Sequence, residues 1–369
     1  MRVRFICVLS LILALSGCNS STTIGGTGAT RIYNGTASVG DFLNITINTA
    51  ASTLTYTNVS NGDTGTVPFT LNSDGSYALN DPSGNLTTAI EVPGYALLIA
   101  ANKTGPNHDT PALITAVESG PISLSTFANH NYNYMQFRTA AGGLEVGSVS
   151  IGSTTGQDTS YWPYGALNSG QNSPFNNSTL DFSQAVESSS GTYLSGPEGG
   201  QGGGTDYIFG TSGGFFIVDT PNGSILGLQK AATKDFDPSF AGTYKAMFYQ
   251  KTGAATGQGN VETGTPSLGS ATITITSGGA ISVSDSSGTL IAQSTLTPIA
   301  DASYLYGSSG ELQDPCYGLF TFRVTTANSQ QDVFVTFVGN SVMFSAFSAD
   351  LPWSAGSSTY DYLYGVGLK

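Results

Sequence analysis

Histidine, cysteine and charge are all scarce in this 369-residue chain. Only His108 and His130 occur, so a histidine-rich metal centre and a duplicated imidazole base are both excluded. Cysteine is limited to Cys7, Cys18 and Cys316, too few for the disulfide framework of a small secreted scaffold. Charged residues make up 9%, with 11 basic against 24 acidic side chains and a net charge of −13. A surface of that sign is a poor partner for nucleic acid or anionic lipid head groups. Long hydrophobic runs are missing too. The most apolar stretch, Phe5 to Leu15, falls short of the roughly 20 residues that a membrane-spanning helix needs. Amphipathic helical patterning is equally poor, and Asp181 to Glu187 is the best candidate for a helix.

What the chain has instead is glycine (48 residues) and large aromatics (18 Tyr, 19 Phe). Low charge with many aromatics, threonines and glycines suits short strands and tight turns, and that much ring surface argues against disorder. From Asp41 onward the dominant period is two. Phe42 to Ile47 and Leu54 to Asn58 alternate bulky with small polar residues, and Asn61-Gly62 supplies a turn. The fold expected is all-β: tandem antiparallel β-meander units that close into barrels or pack as sandwiches.

The order of strands recurs along the chain. Tyr132 to Phe137 matches Thr243 to Tyr249, and Leu144 to Ile151 matches Ala271 to Thr276. Asp206 to Lys230 also corresponds to the segment from Asp332 to the end. Units are therefore expected at residues 31–120, 121–235 and 236–369. Between strands, Gly152 to Thr179 and Gly196 to Thr205 read as long irregular loops, a length usually tied to function or disorder.

The N-terminus places Arg2 and Arg4 ahead of the apolar run, which ends in Leu15-Ser16-Gly17-Cys18. Charge followed by hydrophobe is the layout of an export signal, with a short signal helix over residues 1–17. The last four residues resemble the lipobox of bacterial lipoproteins. The resemblance implies cleavage before Cys18, lipidation of its thiol and acylation of the new amino terminus, so that acyl chains make the membrane a partner. It also implies an outer-membrane location, since Asn19 stands where inner-membrane lipoproteins tend to carry aspartate. Residues 18–30, almost without charge or apolar surface, read as a flexible tether. Processing would leave Cys316 as the only thiol without lipid, expected as a buried small hydrophobe.

Catalytic motifs are weak. Gly210-Thr211-Ser212-Gly213-Gly214 fits the pattern of a hydrolase nucleophile elbow, but no histidine follows it and the next residues pattern as a strand, so it reads as a hairpin turn. Asp235 and Asp237 lack the spacing of a calcium loop, His108 reads as an exposed loop residue, and no cofactor motif is present. A carboxylate pair for glycoside hydrolysis is defined in space and not in sequence. The densest aromatic cluster outside an alternating run is Tyr161-Trp162-Pro163-Tyr164. Its rings serve either as a plug for the protein's own barrel or, at Tyr161, Trp162 and Tyr164, as a contact surface for a glycan or apolar small ligand. The sequence points to a lipid-anchored exported β protein with a binding or structural role, the alternative being an exported hydrolase acting on polysaccharide.

Overall fold

A computed structural model describes residues 30–103, 110–138, 144–163, 171–172, 179–198, 203–211, 214–254, 265–299, 316–325, 329–350 and 359–369. The signal segment, Cys18, His108 and Tyr164 lie outside the described residues. Within them the protein is all-β, with antiparallel sheets throughout and only short 3-10 turns such as Leu124–Thr126 and Pro238–Phe240.

The first sheet holds β1 (Thr30–Ala37), β2 (Phe42–Asn48), β3 (Thr53–Asn58), β4 (Thr64–Leu71), β5 (Tyr77–Leu79), β6 (Leu86–Val92), β7 (Ala96–Ala101) and β8 (Ala112–Glu118). It closes into a barrel in sequence order, with β1 pairing to both β2 and β8. Alternation accounts for the closure. Leu43, Ile45, Ile47, Leu54, Val67, Leu97 and Ile99 point inward and fill the lumen, as expected for a barrel of about eight strands. Glu91 sits among them. Arg31 donates to it from Nε and Nη2 at 2.7 Å each, and Tyr33 and Tyr77 donate their hydroxyls at 2.6 Å each.

The second sheet contains β9 (His130–Arg138), β10 (Leu144–Ile151), β11 (Thr155–Pro163), β12 (Gln171–Asn172), β13 (Thr179–Asp181), β14 (Val186–Glu187), β15 (Leu194–Pro197), β16 (Thr205–Thr211), β17 (Phe215–Thr220) and β18 (Gly223–Gln229). The third contains β19 (Gly242–Ala254), β20 (Thr265–Ile275), β21 (Ala280–Asp285), β22 (Leu290–Thr295), β23 (Thr297–Pro298), β24 (Leu319–Thr325), β25 (Ser329–Val338), β26 (Ser341–Asp350) and β27 (Thr359–Leu368). Their connectivity repeats that of the barrel, because β9 pairs with β18 and β19 with β27, first strand with last. Among the described residues each ring stays open at one place, where the chain passes from β13 to β14 and from β22 to β23 without pairing. Strands matched by sequence take matching positions, β9 with β19, β10 with β20 and β17 with β26.

The richness in glycine and the richness in aromatics are linked. Tyr56 lies directly across from Gly65, Tyr134 from Gly147, Phe248 from Gly269 and Phe344 from Gly365. In each pair the ring covers the space that a Cβ on the glycine would need, so a ring on one strand supplies the packing that its neighbour lacks.

Two local expectations are corrected. Asp181 to Glu187 forms no helix; it is the end of β13, a turn closed by Ala185 N–H to the Phe182 carbonyl, and β14. The stretch from Gly152 to Thr179 is not loop throughout, since Thr155–Pro163 is strand β11. Its alternation is hidden from sequence because the buried positions hold Asp158 and Ser160 as well as Trp162.

The three sheets meet in one apolar core. Phe42, Leu98, Leu113 and Val117 on the outside of the barrel join Met135 and Phe137 of the second sheet and Met247, Tyr249 and Tyr364 of the third. Phe137 stacks on Tyr364 with ring centroids 5.0 Å apart. At the β6–β7 turn, the Tyr95 hydroxyl donates to the Val338 carbonyl at 2.8 Å and lies 3.1 Å from Ser341 Oγ. The edge of the Tyr95 ring meets Phe215.

Candidate functional site

One face of the second sheet gathers most of its chemistry. Alternation on β9 puts Tyr134, Gln136 and Arg138 on that face, and β10 adds Glu145 and Gly147. On β11, Tyr161 and Asp158 are three residues apart, a spacing that ordinarily sends side chains to opposite faces. The register shift between Ser148 and Val149 accommodates an extra residue, so Tyr161 pairs with Gly147 and Asp158 with Val149. The bulge re-aims Asp158 onto the face that Tyr161 occupies.

These side chains form a hydrogen-bonded line. With the Gln136 amide oriented by its neighbours, oxygen toward Arg138 and nitrogen toward Glu145, the exposed Arg138 guanidinium donates to the Gln136 amide oxygen at 2.5 Å, and the amide nitrogen donates to Glu145 Oε2 at 2.9 Å. Tyr161 donates to Glu145, and Tyr134 donates to Asp158. Burial pushes the Glu145 carboxyl above its ordinary range, against the opposing pull of Arg138 and the Tyr161 hydroxyl. Tyr134 is pushed well above a normal phenol, first by burial and then by Asp158 and Glu145. The line thus runs from an exposed cation to the half-buried Glu145 carboxyl, a linked set of donors and acceptors.

The opposite face of the same strands packs on the third sheet. Trp162 is 1% exposed, and its ring lies 5.5 Å from Phe334. Asn133 Nδ2 donates to the Tyr317 carbonyl, and the buried Cys316 Sγ donates to Ser160 Oγ at 3.1 Å. Of the aromatic cluster, then, Tyr161 joins the polar line, Trp162 is core, and Tyr164 lies outside the described residues. Arg138, Glu145 and Asp158 were not singled out by sequence. The signal that could have found them is the pairing of acids with tyrosines at alternate positions, but the bulge breaks that period.

A second concave feature lies where barrel and second sheet meet. Phe42 stacks on Tyr207 at 4.6 Å, with Tyr193 at 4.7 Å and Phe209 at 5.3 Å. Beside Tyr207 is a cleft of about 280 Å³ lined by Gly40, Asp41, Ser60, Asn61 and Thr205. Gly40 has φ of +92° and abuts the Thr220 and Pro221 backbone, where no side chain would fit. Across the strand pair from Tyr207, Asp219 is fully buried and accepts a hydrogen bond from Thr36 Oγ1 at 2.5 Å. Burial, then Asp41 and Asp206, raise its carboxyl well above the ordinary value.

Other sequence candidates have plain structural places. His130 is exposed, with Nδ1 3.3 Å from Gln229 Nε2. Asp237 caps the Pro238–Phe240 turn by accepting from the Ser239 N–H at 2.8 Å. The Gly210 to Gly214 motif joins β16 to β17, strand to strand, which is not the geometry of a nucleophile elbow.

No protein-family model matches the sequence, and no curated protein matches it. Among solved structures, the chain is similar to a variant of transferrin binding protein B from Haemophilus parasuis Hp5, at 7% identity and a TM-score of 0.21, covering 93% of this chain and 77% of that one. Transferrin binding protein B from Neisseria meningitidis gives 10% identity and 0.24, covering 89% and 66%. A protein of unknown function from the DUF3598 family of Nostoc punctiforme gives 12% and 0.24, covering 68% and 100%. Likeness at these scores carries neither a family nor a function to this chain.

Proposed function

We propose that this is an exported binding protein, anchored at the bacterial outer membrane through acyl chains on Cys18, which holds a polar ligand such as a glycan on the second sheet around Tyr161 and Glu145. The observation that carries the reading is the line Arg138–Gln136–Glu145–Tyr161, with Tyr134 and Asp158 beside it. It places a cation, two carboxyls, an amide and two phenols on one sheet face, the composition of a site that recognises hydroxyls by paired hydrogen bonds.

Binding is favoured over hydrolysis because both carboxyls are engaged by phenols that stand between them, Glu145 by Tyr161 and Asp158 by Tyr134, each phenol lying opposite Gly147. The raised Glu145 carboxyl is the one feature that a general acid would share.

Titration calorimetry of the protein against a glycan panel tests the reading. Tyr161→Phe and Glu145→Gln should each weaken binding about tenfold or more while reducing-sugar release stays at background. Release of sugar that Glu145→Gln abolishes would replace the binding reading with the hydrolase. Anchoring is tested separately. Cys18→Ala should block both lipidation and cleavage at this site, since the acyl chains that give firm attachment are placed on Cys18; normal cleavage together with membrane retention in that variant would refute lipidation at Cys18.

A further inference from the structure

The outer face of the barrel over β2, β3 and β4 carries an ordered array of uncharged polar side chains. Asn44 pairs with Thr57 and Thr57 with Thr64, while Thr46 pairs with Thr55 and Thr55 with Thr66. The result is two parallel rows, each crossing three strands. They border a shallow depression of about 310 Å³. Thr57, Thr64 and Thr66 are exposed, and Asn44, Thr46 and Thr55 half-exposed. Among the described residues, none of the six side chains hydrogen-bonds to another part of the protein. Each threonine therefore keeps one donor, two acceptor lone pairs and a methyl group for whatever lies on the sheet.

We propose that this face is a docking surface for an uncharged polysaccharide laid across the strands. Charge decides the class of occupant first. None of the residues lining the depression is charged, although the chain as a whole carries −13. An anionic polymer is repelled by that field, and a cationic one finds no carboxylate here, whereas a neutral polymer meets neither obstacle. The rows supply the second reason. They step across the sheet at the strand spacing of about 4.8 Å, close to the length that one sugar ring adds to an extended glycan, so each strand can offer a hydroxyl or amide to successive rings. Threonine methyls alternate with these groups and suit the C–H patches of a sugar. A protein partner fits less well, because interface centres are built on exposed aromatic or arginine anchors. The one ring here, Tyr56, turns inward over Gly65 and packs on the barrel core. The surface is separate from the Tyr161 site and does not depend on it.

Native-gel affinity electrophoresis of the intact protein tests the proposal, with hydroxyethylcellulose or dextran as neutral matrix polymers and carboxymethylcellulose as the charged one. A neutral polymer should retard the protein, and the charged polymer should not. Thr55→Val combined with Thr66→Val keeps the side-chain shape and removes two hydroxyls; it should weaken retardation about tenfold at an unchanged melting temperature. Thr272→Val combined with Thr274→Val, exposed positions on β20, removes the same groups elsewhere and should leave retardation unchanged. Four results would each overturn the proposal: no retardation by either neutral polymer, stronger retardation by carboxymethylcellulose, full retardation of the Thr55/Thr66 variant, or equal weakening in the β20 variant.

Discussion

Glu91 gathers four donors from Arg31, Tyr33 and Tyr77 inside a barrel otherwise filled largely by apolar side chains, and its side chain is 1% exposed against 10% for Arg31. A buried ion pair adds little over a well-packed apolar substitute, but removing one partner strands the other in a medium that cannot solvate it. Glu91→Gln should therefore cost about 3 to 5 kcal/mol in urea unfolding, and pairing it with Arg31→Met should recover much of the loss. Asp219 presents the opposite case. Its native carboxyl holds a proton more tightly than the unfolded one because burial, Asp41 and Asp206 all disfavour the charge. From the unfolded value of roughly 3.9 up to the raised native value, the folded state binds more protons, so this residue makes stability fall as pH rises. Asp219→Asn should remove that slope and raise the urea midpoint at pH 8 more than at pH 5. An identical slope in the variant would assign the pH dependence elsewhere. Trp162, packed on Phe334, should lose about 3 to 5 kcal/mol on truncation to alanine, a loss that thermal melts would register.

Strands in this protein depend on what faces their glycines. A Cβ on Gly147 would lie 2.5 Å from the Ser160 carbonyl oxygen and 2.7 Å from the Tyr134 ring. Gly147→Ala should thus cost about 1 to 3 kcal/mol through overpacking and displace Tyr134 from Asp158. Intact melting and ligand binding in that variant would show that the β9–β11 ladder absorbs the methyl. The same elements show what sequence can and cannot disclose. The barrel was legible because Leu43, Ile45 and Ile47 alternate cleanly with Asn44 and Thr46. β11 was not, because its buried positions include Asp158 and Ser160, polar residues held by partners that come from distant strands. Patterning marks the first two strands of the third sheet too short: β19 runs on to Ala254 and β20 begins at Thr265, because Gln250, Lys251, Pro266 and Ser267 do not continue an alternation of bulky with small polar residues. The polar line around Glu145 stayed hidden because a bulge, unmarked in sequence, brings Asp158 to the same face as Tyr161.

Across the whole molecule, the junction at Tyr95 and the shared core around Phe42, Phe137 and Tyr364 tie the sheets together. We propose that residues 31–120, 121–235 and 236–369 are three units that share one unfolding transition, since each exposes apolar surface once its neighbours leave. Scanning calorimetry should show a single endotherm whose calorimetric and van't Hoff enthalpies agree. Tyr95→Ala, which removes the hydroxyl to Val338 and the ring against Phe215, should broaden or split it. Separate transitions in the unaltered protein would mean that the shared core does not couple the units.

Pairing of first strand with last also sets a timetable. The β1–β8 seam needs only residues 30–118, but β19 gains its second neighbour only when β27 arrives. Seams between distant segments form slowly, and an unfilled edge recruits other chains while it waits. A chain made from its N-terminus therefore carries an open β19 edge until β27 follows, making a stall between β19 and β27 more hazardous than one between the sheets.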